Sequence, residues 1–190
     1  MPFARRTVLR NEFNNETFIF TVTDDREAAR FDVVLGTGGS GGGNALEHVH
    51  PSASETFTVK SGRLAVMMRG VEHIAEAGQS ITIPAGTPHH FRNADAGRTE
   101  ATVEFVPAQQ HLRFFGNFAT LTEKRTEWFS PKGAPHLLLI ALVLHTYRGH
   151  LYLAGIPIFV QKLLFGALSP LARLRGYRLE IKPLARSGRP

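Results

Sequence analysis

The fold is decided by residues 31–62, FDVVLGTGGSGGGNALEHVHPSASETFTVKSG, where an apolar run leads into glycines and then two histidines. Gly36, Gly38 and Gly41 have the G-x-G-x-x-G spacing of a dinucleotide-binding turn, which requires a helix directly after the glycines. Residues 44–47 leave room for barely one helical turn before His48, so no such helix can form. The sequence therefore predicts no nucleotide cofactor.

The composition is typical of a soluble protein with one main domain, at 43% hydrophobic and 20% charged residues. The absence of cysteine excludes disulfides, thiolate metal sites and cysteine nucleophiles. The formal charge of +6 is concentrated after Pro170, without the interleaved aromatic residues of an RNA-binding surface. We therefore expect no nucleic-acid partner. The N-terminus shows no apolar leader, so a cytoplasmic location is expected.

Short β-prone segments separated by turn residues dominate the first part of the chain. They lie at residues 17–22, 57–60, 64–68, 71–74, 80–83 and 102–106. Many short strands at this spacing predict a sandwich or barrel. After Pro107, apolar residues recur at helical spacing, as at Phe114, Phe118 and Leu121. We predict a barrel over residues 1–108 and a helical extension with a basic tail over residues 109–190.

Three histidines and one glutamate have a spacing that suits a metal site. His48 and His50 lie two positions apart, so on a strand both side chains leave the same face. The turn at residues 51–54 brings Glu55 back, and His89 follows a second turn at residues 84–88. Three imidazoles and a carboxylate suit one divalent ion of Fe, Mn, Ni, Co, Cu or Zn.

Two blocks of the sequence resemble the motifs of the cupin superfamily. The first is Gly42-x5-His48-x-His50-x4-Glu55-x6-Gly62, and the second is Gly78-x5-Pro84-x-Gly86-x2-His89-x3-Asn93. The resemblance spans residues 40–107. It implies a mainly β fold, a single double-stranded β-helix (jelly-roll) barrel followed by the α-helical extension. It also implies metal binding through His48, His50, Glu55 and His89. Strand alternation turns His90 to the face opposite His89, so we expect a structural role for His90, and Asn93 is expected to support the fold.

The strands near these ligands are mostly apolar and are expected to line a substrate pocket. The candidates are Phe57, Val59, Leu64, Val66, Met68 and Phe91. Because no arginine or lysine belongs to this set, we predict a mainly apolar small-molecule substrate. Oxygenation by a dioxygenase-type reaction is the first hypothesis. A metal-dependent isomerase, cyclase or lyase and a non-catalytic binding protein are the alternatives. No catalytic residue beyond the ligands is identified.

The helical extension is apolar enough to raise the question of a membrane. Its uncharged runs, residues 133–147 and 149–161, are separated by Arg148, and each is shorter than the about 20 residues that a spanning helix needs. We therefore predict no membrane span but three short helices, the third beginning at Ser169-Pro170. They are expected to cover the barrel mouth or a subunit interface, with surface attachment to a membrane as the alternative. A homodimer is expected, because the N-terminal strands offer free edges.

Overall fold

Eleven β-strands and three α-helices form in the part of the chain that the computed structural model describes, residues 3–26, 28–41 and 46–184. The first-motif residue Gly42 and the tail residues Arg186 and Arg189 lie outside these ranges. The strands are β1 Thr7–Asn11, β2 Glu16–Phe20, β3 Ala29–Leu35, β4 His48–Val49, β5 Ser54–Ser61, β6 Arg63–Met68, β7 Val71–Glu76, β8 Ser80–Ile83, β9 His89–Asn93, β10 Thr99–Val106 and β11 Tyr152–Leu153. The helices are α1 His111–Lys124, α2 Leu137–Thr146 and α3 Ile158–Leu174.

The strands form two antiparallel sheets that face each other. One has the order β1-β2-β3-β10-β5-β8 and the other β11-β4-β9-β6-β7. Buried and less buried residues alternate along β2 and β10, as expected for strands with one face on a core. Phenylalanines fill much of the space between the sheets, among them Phe20, Phe31, Phe57 and Phe105. The predicted fold class, a jelly-roll barrel with a helical extension, is confirmed.

The turn between β5 and β6 shows why the first motif ends in a glycine. Gly62 has a φ of +77°, a conformation that residues with a Cβ rarely adopt. A Cβ at this position would also lie 2.6 Å from the hydroxyl of Thr99 and 2.7 Å from the carbonyl oxygen of Arg98. Both constraints require glycine here.

The helical extension is anchored to the barrel by buried polar contacts. The guanidinium of Arg113 in α1 donates to Asp25 at 2.5 Å, and Asp25 also accepts from the backbone N–H of Leu112 at 2.7 Å. Within the extension, Asn117 of α1 donates to the hydroxyl of Tyr147, just after α2, at 2.8 Å. The extension even contributes a strand, because β11 pairs with β4.

The helix boundaries correct one prediction. Ser169-Pro170 does not begin a third helix, because α3 runs through Pro170 to Leu174. The proline ring removes the N–H that would bond to the carbonyl of Gly166. The buried stripe of α3 nevertheless continues across this point, with Phe165, Ser169 and Ala172 all facing inward. Packing of this stripe offsets the lost hydrogen bond. Among the described residues, no helix combines the length and apolarity needed to cross a bilayer.

Candidate metal centre

The two sheets bring His48, His50, Glu55 and His89 together. His48 lies on β4 directly opposite His89 on β9, His50 follows β4 directly, and Glu55 is the second residue of β5. Each residue offers one ligand atom, and these atoms all lie within 4.8 Å of one another. His50, Glu55 and His89 are buried, whereas His48 is only partly buried. Only this group of the described residues has a geometry that could hold a metal ion.

Backbone carbonyls fix the orientation of all three imidazoles. The Nδ1 atoms face the carbonyl oxygens of Leu46, His150 and Thr87 at 3.0, 2.5 and 2.8 Å for His48, His50 and His89 respectively. Because a carbonyl only accepts, each Nδ1 carries the hydrogen, and each Nε2 is left for another partner. Such contacts to the far nitrogen are typical of metal-binding histidines.

The Nε2 atoms of His50 and His89 lie close to the carboxylate of Glu55. Its Oε2 is 2.8 Å from His89 Nε2 and 3.6 Å from His50 Nε2. The Nε2 of His50 is buried and has no hydrogen-bond partner. A buried polar atom without a partner is costly, and a bound cation would satisfy it.

The pKa values favour neutral imidazoles at two of the three histidines. Burial, reinforced by the nearby His89, lowers the pKa of His48 to about 3, and burial together with His48 and His111 lowers the pKa of His50 well below its usual value. Burial is the largest single influence on His89 and lowers its pKa, but the hydrogen bond and the charge of Glu55, with the carbonyl of Thr87, together outweigh burial and raise that pKa. Neutral imidazoles and a carboxylate fit a divalent transition metal.

The helical extension reaches the site through His150. Its backbone carbonyl is the acceptor for His50 Nδ1. Its ring is held in turn, because Nε2 accepts from the backbone N–H of Gln110 at 3.0 Å and Nδ1 donates to the carbonyl of Tyr147 at 2.9 Å. One hundred positions separate His50 and His150, so no local pattern pointed to the contact.

A second buried histidine was also missed by sequence reasoning. The ring of His111, the first residue of α1, stacks on Phe105 with centroids 4.2 Å apart. It lies 5.3 Å from the ring of His50. Burial, with a smaller effect from His150, lowers the pKa of His111 to about 3. A neutral ring at this position packs beside His50 without adding charge to the site.

A cavity of about 510 Å³ extends from the metal-ligand cluster between the barrel and the helices. His48 and Glu55 belong to its wall. Most of the remaining wall is apolar and comes from the strands, α1 and α2, including Phe18, Phe31, Val33, Phe91, Val103, Phe114, Phe115, Phe118, Leu139, Ile140, Val143 and Leu144. The helical spacing of the α1 phenylalanines was visible in the sequence, but not the direction in which they point.

Most of the residues predicted to line a substrate pocket lie outside the cavity wall. Of the six, Phe91 lines the cavity. Phe57, Val59, Leu64 and Val66 belong to the barrel core, and Met68 packs against that core. The reason is that side chains of the two sheets fill the space between them, as where the rings of Phe57 and Phe91 lie 4.8 Å apart. The free volume lies under the helices instead.

Glu16 makes one part of the cavity wall polar. It shares the inward face of β2 with Phe18 and is only 7% exposed. The amide of Asn11 donates to its carboxylate at 3.0 Å, and Asn14 and Ser40 also hydrogen-bond to it. Burial outweighs these hydrogen bonds and raises the pKa of Glu16 to about 7. The carboxyl group is therefore substantially protonated at neutral pH and can donate a hydrogen bond.

Glu16 and Glu55 lie at opposite ends of the sheet. Through the register of neighbouring strands, Glu16 is level with Leu35 on β3, whereas Glu55 is level with Ala29. Six residues of strand separate these levels, which corresponds to about 20 Å. The cavity is thus elongated, with the candidate metal ligands near one end and the polar group of Glu16 near the other.

Comparisons with known proteins give the following matches. Residues 32–105 match the family model described as a cupin domain. Quercetin 2,3-dioxygenase of Bacillus subtilis (strain 168) is 39% identical over 62 residues, which are 33% of this chain and 18% of that protein. The chain therefore spans less than a fifth of this curated relative.

The solved structures that match this chain are more distant in sequence. A sugar phosphate isomerase from a cupin superfamily, from Silicibacter pomeroyi DSS-3, is 18% identical with a TM-score of 0.40, covering 55% of this chain and 66% of that chain. The Cnp3 cupin domain of Schizosaccharomyces pombe is 14% identical with a TM-score of 0.40, covering 52% of this chain and 66% of that one.

Proposed function

We propose that this chain, which belongs to the cupin superfamily, is a metal-dependent enzyme that oxygenates an elongated, mainly apolar small molecule. The observation that carries the proposal is the position of the candidate metal ligands, since His48 and Glu55 form part of the wall of the apolar cavity. The partial match to a dioxygenase is consistent with it.

The four side chains would hold one ion of Fe, Mn, Ni, Co, Cu or Zn. When bound, a redox-active ion of this group supplies activation of O₂ at the coordination positions that the protein leaves open. The carbonyls that accept from each Nδ1 keep the Nε2 atoms turned towards the ion. The phenylalanines of α1 and the barrel exclude water from the end of the cavity where the chemistry takes place.

The wall of the cavity indicates the class of substrate. Lys132 is the single cationic side chain among the wall residues, and it is exposed. A phosphate or sugar acid would need more positive charge than this. The apolar wall suits an aromatic or polyketide-like body, and protonated Glu16 suits a hydroxyl or carbonyl group at its far end. Glu16 is a positioning residue in this proposal, because it lies far from the ligands.

A redox-neutral reaction, such as an isomerisation, cyclisation or lysis, is the second candidate. It requires an acid or base beside the metal, and Glu16 is the wall residue whose pKa suits that role. The separation of about 20 Å along the strands places it too far from Glu55 for direct proton transfer to the same reacting atoms. Oxygenation, which requires no separate acid or base, therefore fits the geometry better.

Metal analysis followed by oxygen uptake tests the proposal. The protein is purified without oxygen, loaded with each metal in turn and mixed with a panel of aromatic and polyketide-like compounds. We expect one bound metal per chain, a metal spectrum that responds to at least one compound, and oxygen consumption on exposure to air. His48→Ala should abolish all three responses, whereas His90→Ala should keep them.

Two outcomes would contradict oxygenation. Conversion of a compound without oxygen uptake would establish the redox-neutral alternative. Tight binding of a compound, with neither conversion nor oxygen uptake for any metal, would indicate a non-catalytic binding protein.

A further inference from the structure

Helix α3 turns its apolar side to the surface and part of its polar side to the interior. Its buried stripe contains Gln161 and Ser169 beside Phe165 and Ala172. Gln161 is 1% exposed and bonds to backbone groups of Leu153 and Ile156. The opposite side is formed by the exposed apolar residues Phe159, Val160, Leu163, Leu164, Leu171 and Leu174. A helix in water normally has the reverse arrangement.

These exposed residues form one continuous surface, called here the α3 outer face. At 100° per residue they occupy an arc of about 140°, and no charged residue falls within it. Phe159, Leu163 and Leu174 are 65, 72 and 85% exposed. Lys162 and Arg173 border the arc on one side. Contiguous apolar surface of this kind marks a contact site rather than ordinary surface variation.

The charged residues of the chain segment that contains α3 have a single sign. No aspartate or glutamate occurs between Glu127 and Glu180, and Glu180 pairs with Arg125 at 3.7 Å. Directly after α3 come Arg175, Arg178 and Lys182, all of them exposed. The α3 outer face is therefore flanked by basic residues, with no acidic residue in the same stretch of chain.

We propose that the α3 outer face binds the surface of an anionic lipid membrane, with the helix lying parallel to the membrane plane. The apolar arc would enter the boundary between headgroups and acyl chains, and the basic residues would contact anionic headgroups. The buried stripe of α3 packs against α2, so one side of the helix remains available to lipid and the helix need not cross the bilayer.

A second copy of this chain fits the same face less well. Two α3 helices that pack antiparallel about a twofold axis would bring Lys162 of one copy towards Arg173 of the other. No acidic residue between Glu127 and Glu180 is available to offset this repulsion. Anionic headgroups supply the missing negative charge. The proposal is independent of the metal site and of the reaction.

Vesicle binding of the full-length protein tests the proposal. Sedimentation is measured with vesicles of phosphatidylcholine alone and of phosphatidylcholine mixed with phosphatidylserine. We expect binding to the mixed vesicles that weakens as salt increases, and little binding to the neutral ones. Arg175→Gln/Arg178→Gln should weaken binding to the mixed vesicles about tenfold, because each basic residue near the surface adds a modest attraction.

The contribution of the apolar residues to vesicle binding is tested with the double variant Phe159→Glu/Leu163→Glu. Both side chains are exposed, so the fold should persist, and circular dichroism checks this. Loss of two large apolar insertions should weaken vesicle binding by about a hundredfold or more. Val71→Glu, at an apolar residue of β7 that is 57% exposed, is the matched control and should bind like the unmodified protein.

Three results would overturn the proposal. The first is absence of binding to anionic vesicles. The second is equal binding by the Phe159→Glu/Leu163→Glu variant. The third is a dimer in vesicle-free solution that this variant converts to monomer, which would assign the face to a second copy of the chain.

Discussion

In the barrel, residues that face the core alternate along strands such as β3, β5 and β10, and Glu55 occupies one of these inward positions on β5. In the extension, α1 and α2 turn Phe115, Phe118 and Val143 towards the cavity, and the backbone carbonyl of His150 faces the imidazole of His50. The barrel thus supplies the candidate metal ligands, and the extension supplies walls and one orienting contact. Substitutions in the barrel ligands should therefore affect metal binding more strongly than substitutions in the extension.

The largest effect is expected at the barrel ligands. His50→Ala, Glu55→Ala and His89→Ala should each reduce bound metal from about one ion per chain to nearly none, since each removes one of four converging ligands. Metal content after mild chelation, measured by mass spectrometry, checks this. His90→Ala is the matched control, because His90 neighbours His89 but lies outside the ligand group. Equal metal content in all four variants would refute the site.

A second large effect, on the pH dependence of the free energy of unfolding, is expected from Glu16, where the barrel meets the helical part of the cavity. Its pKa is about 7 in the folded protein and 4.5 as the ordinary value. Below pH 4.5 Glu16 is protonated in both the folded and the unfolded state, so its contribution to the free energy of unfolding is fully present. As pH rises from 4.5 to 7 the unfolded state ionises first, so the free energy of unfolding falls by an amount on the order of 3 kcal/mol.

Urea denaturation on either side of this pH window checks the Glu16 prediction. Glu16→Gln cannot ionise, so the difference in stability between acidic and neutral pH should shrink by roughly 3 kcal/mol. Glu76→Gln, at an exposed glutamate of β7, is the control and should leave the pH dependence unchanged. The same dependence in Glu16→Gln and in the unmodified protein would contradict the prediction.

The barrel was far more predictable from sequence than the extension. The β-branched segment at residues 80–83 became strand β8 with the same limits, and the two motifs that resemble the cupin superfamily were sufficient to expect His48, His50, Glu55 and His89 together. These features depend on local period and turn residues. The cavity depends on how α1 and α2 pack on the sheet, which no local pattern encodes. For the same reason Phe57 and Leu64 were expected at a pocket and lie in the core.

A smaller effect on metal affinity should come from the contact between the extension and the metal site. His150→Ala removes the ring that holds its own backbone through Gln110 and Tyr147, so the carbonyl that orients His50 should move. Loss of such an orienting contact typically weakens metal affinity about 10–100-fold. Competition with a metal-sensitive dye measures the affinity. His73→Ala, on the exposed surface of β7, should leave it unchanged. An unaltered affinity in His150→Ala would mean that the barrel orients its ligands alone.

The smallest effect, on the association of two folded chains, is expected at the free edge of the barrel. β1 pairs only with β2 and ends the six-stranded sheet, and Val8 on it is 49% exposed. Such an edge can pair with the same edge of a second copy, so we predict a homodimer. Light scattering should give twice the chain mass, and Val8→Lys should shift the population towards monomer because a charge on an edge strand opposes pairing.

Ile74→Lys places the same charge on β7, the edge of the other sheet, and should leave the dimer intact. The monomer mass across a wide concentration range would rule the dimer out, and a dimer sensitive only to Ile74→Lys would move the interface to β7.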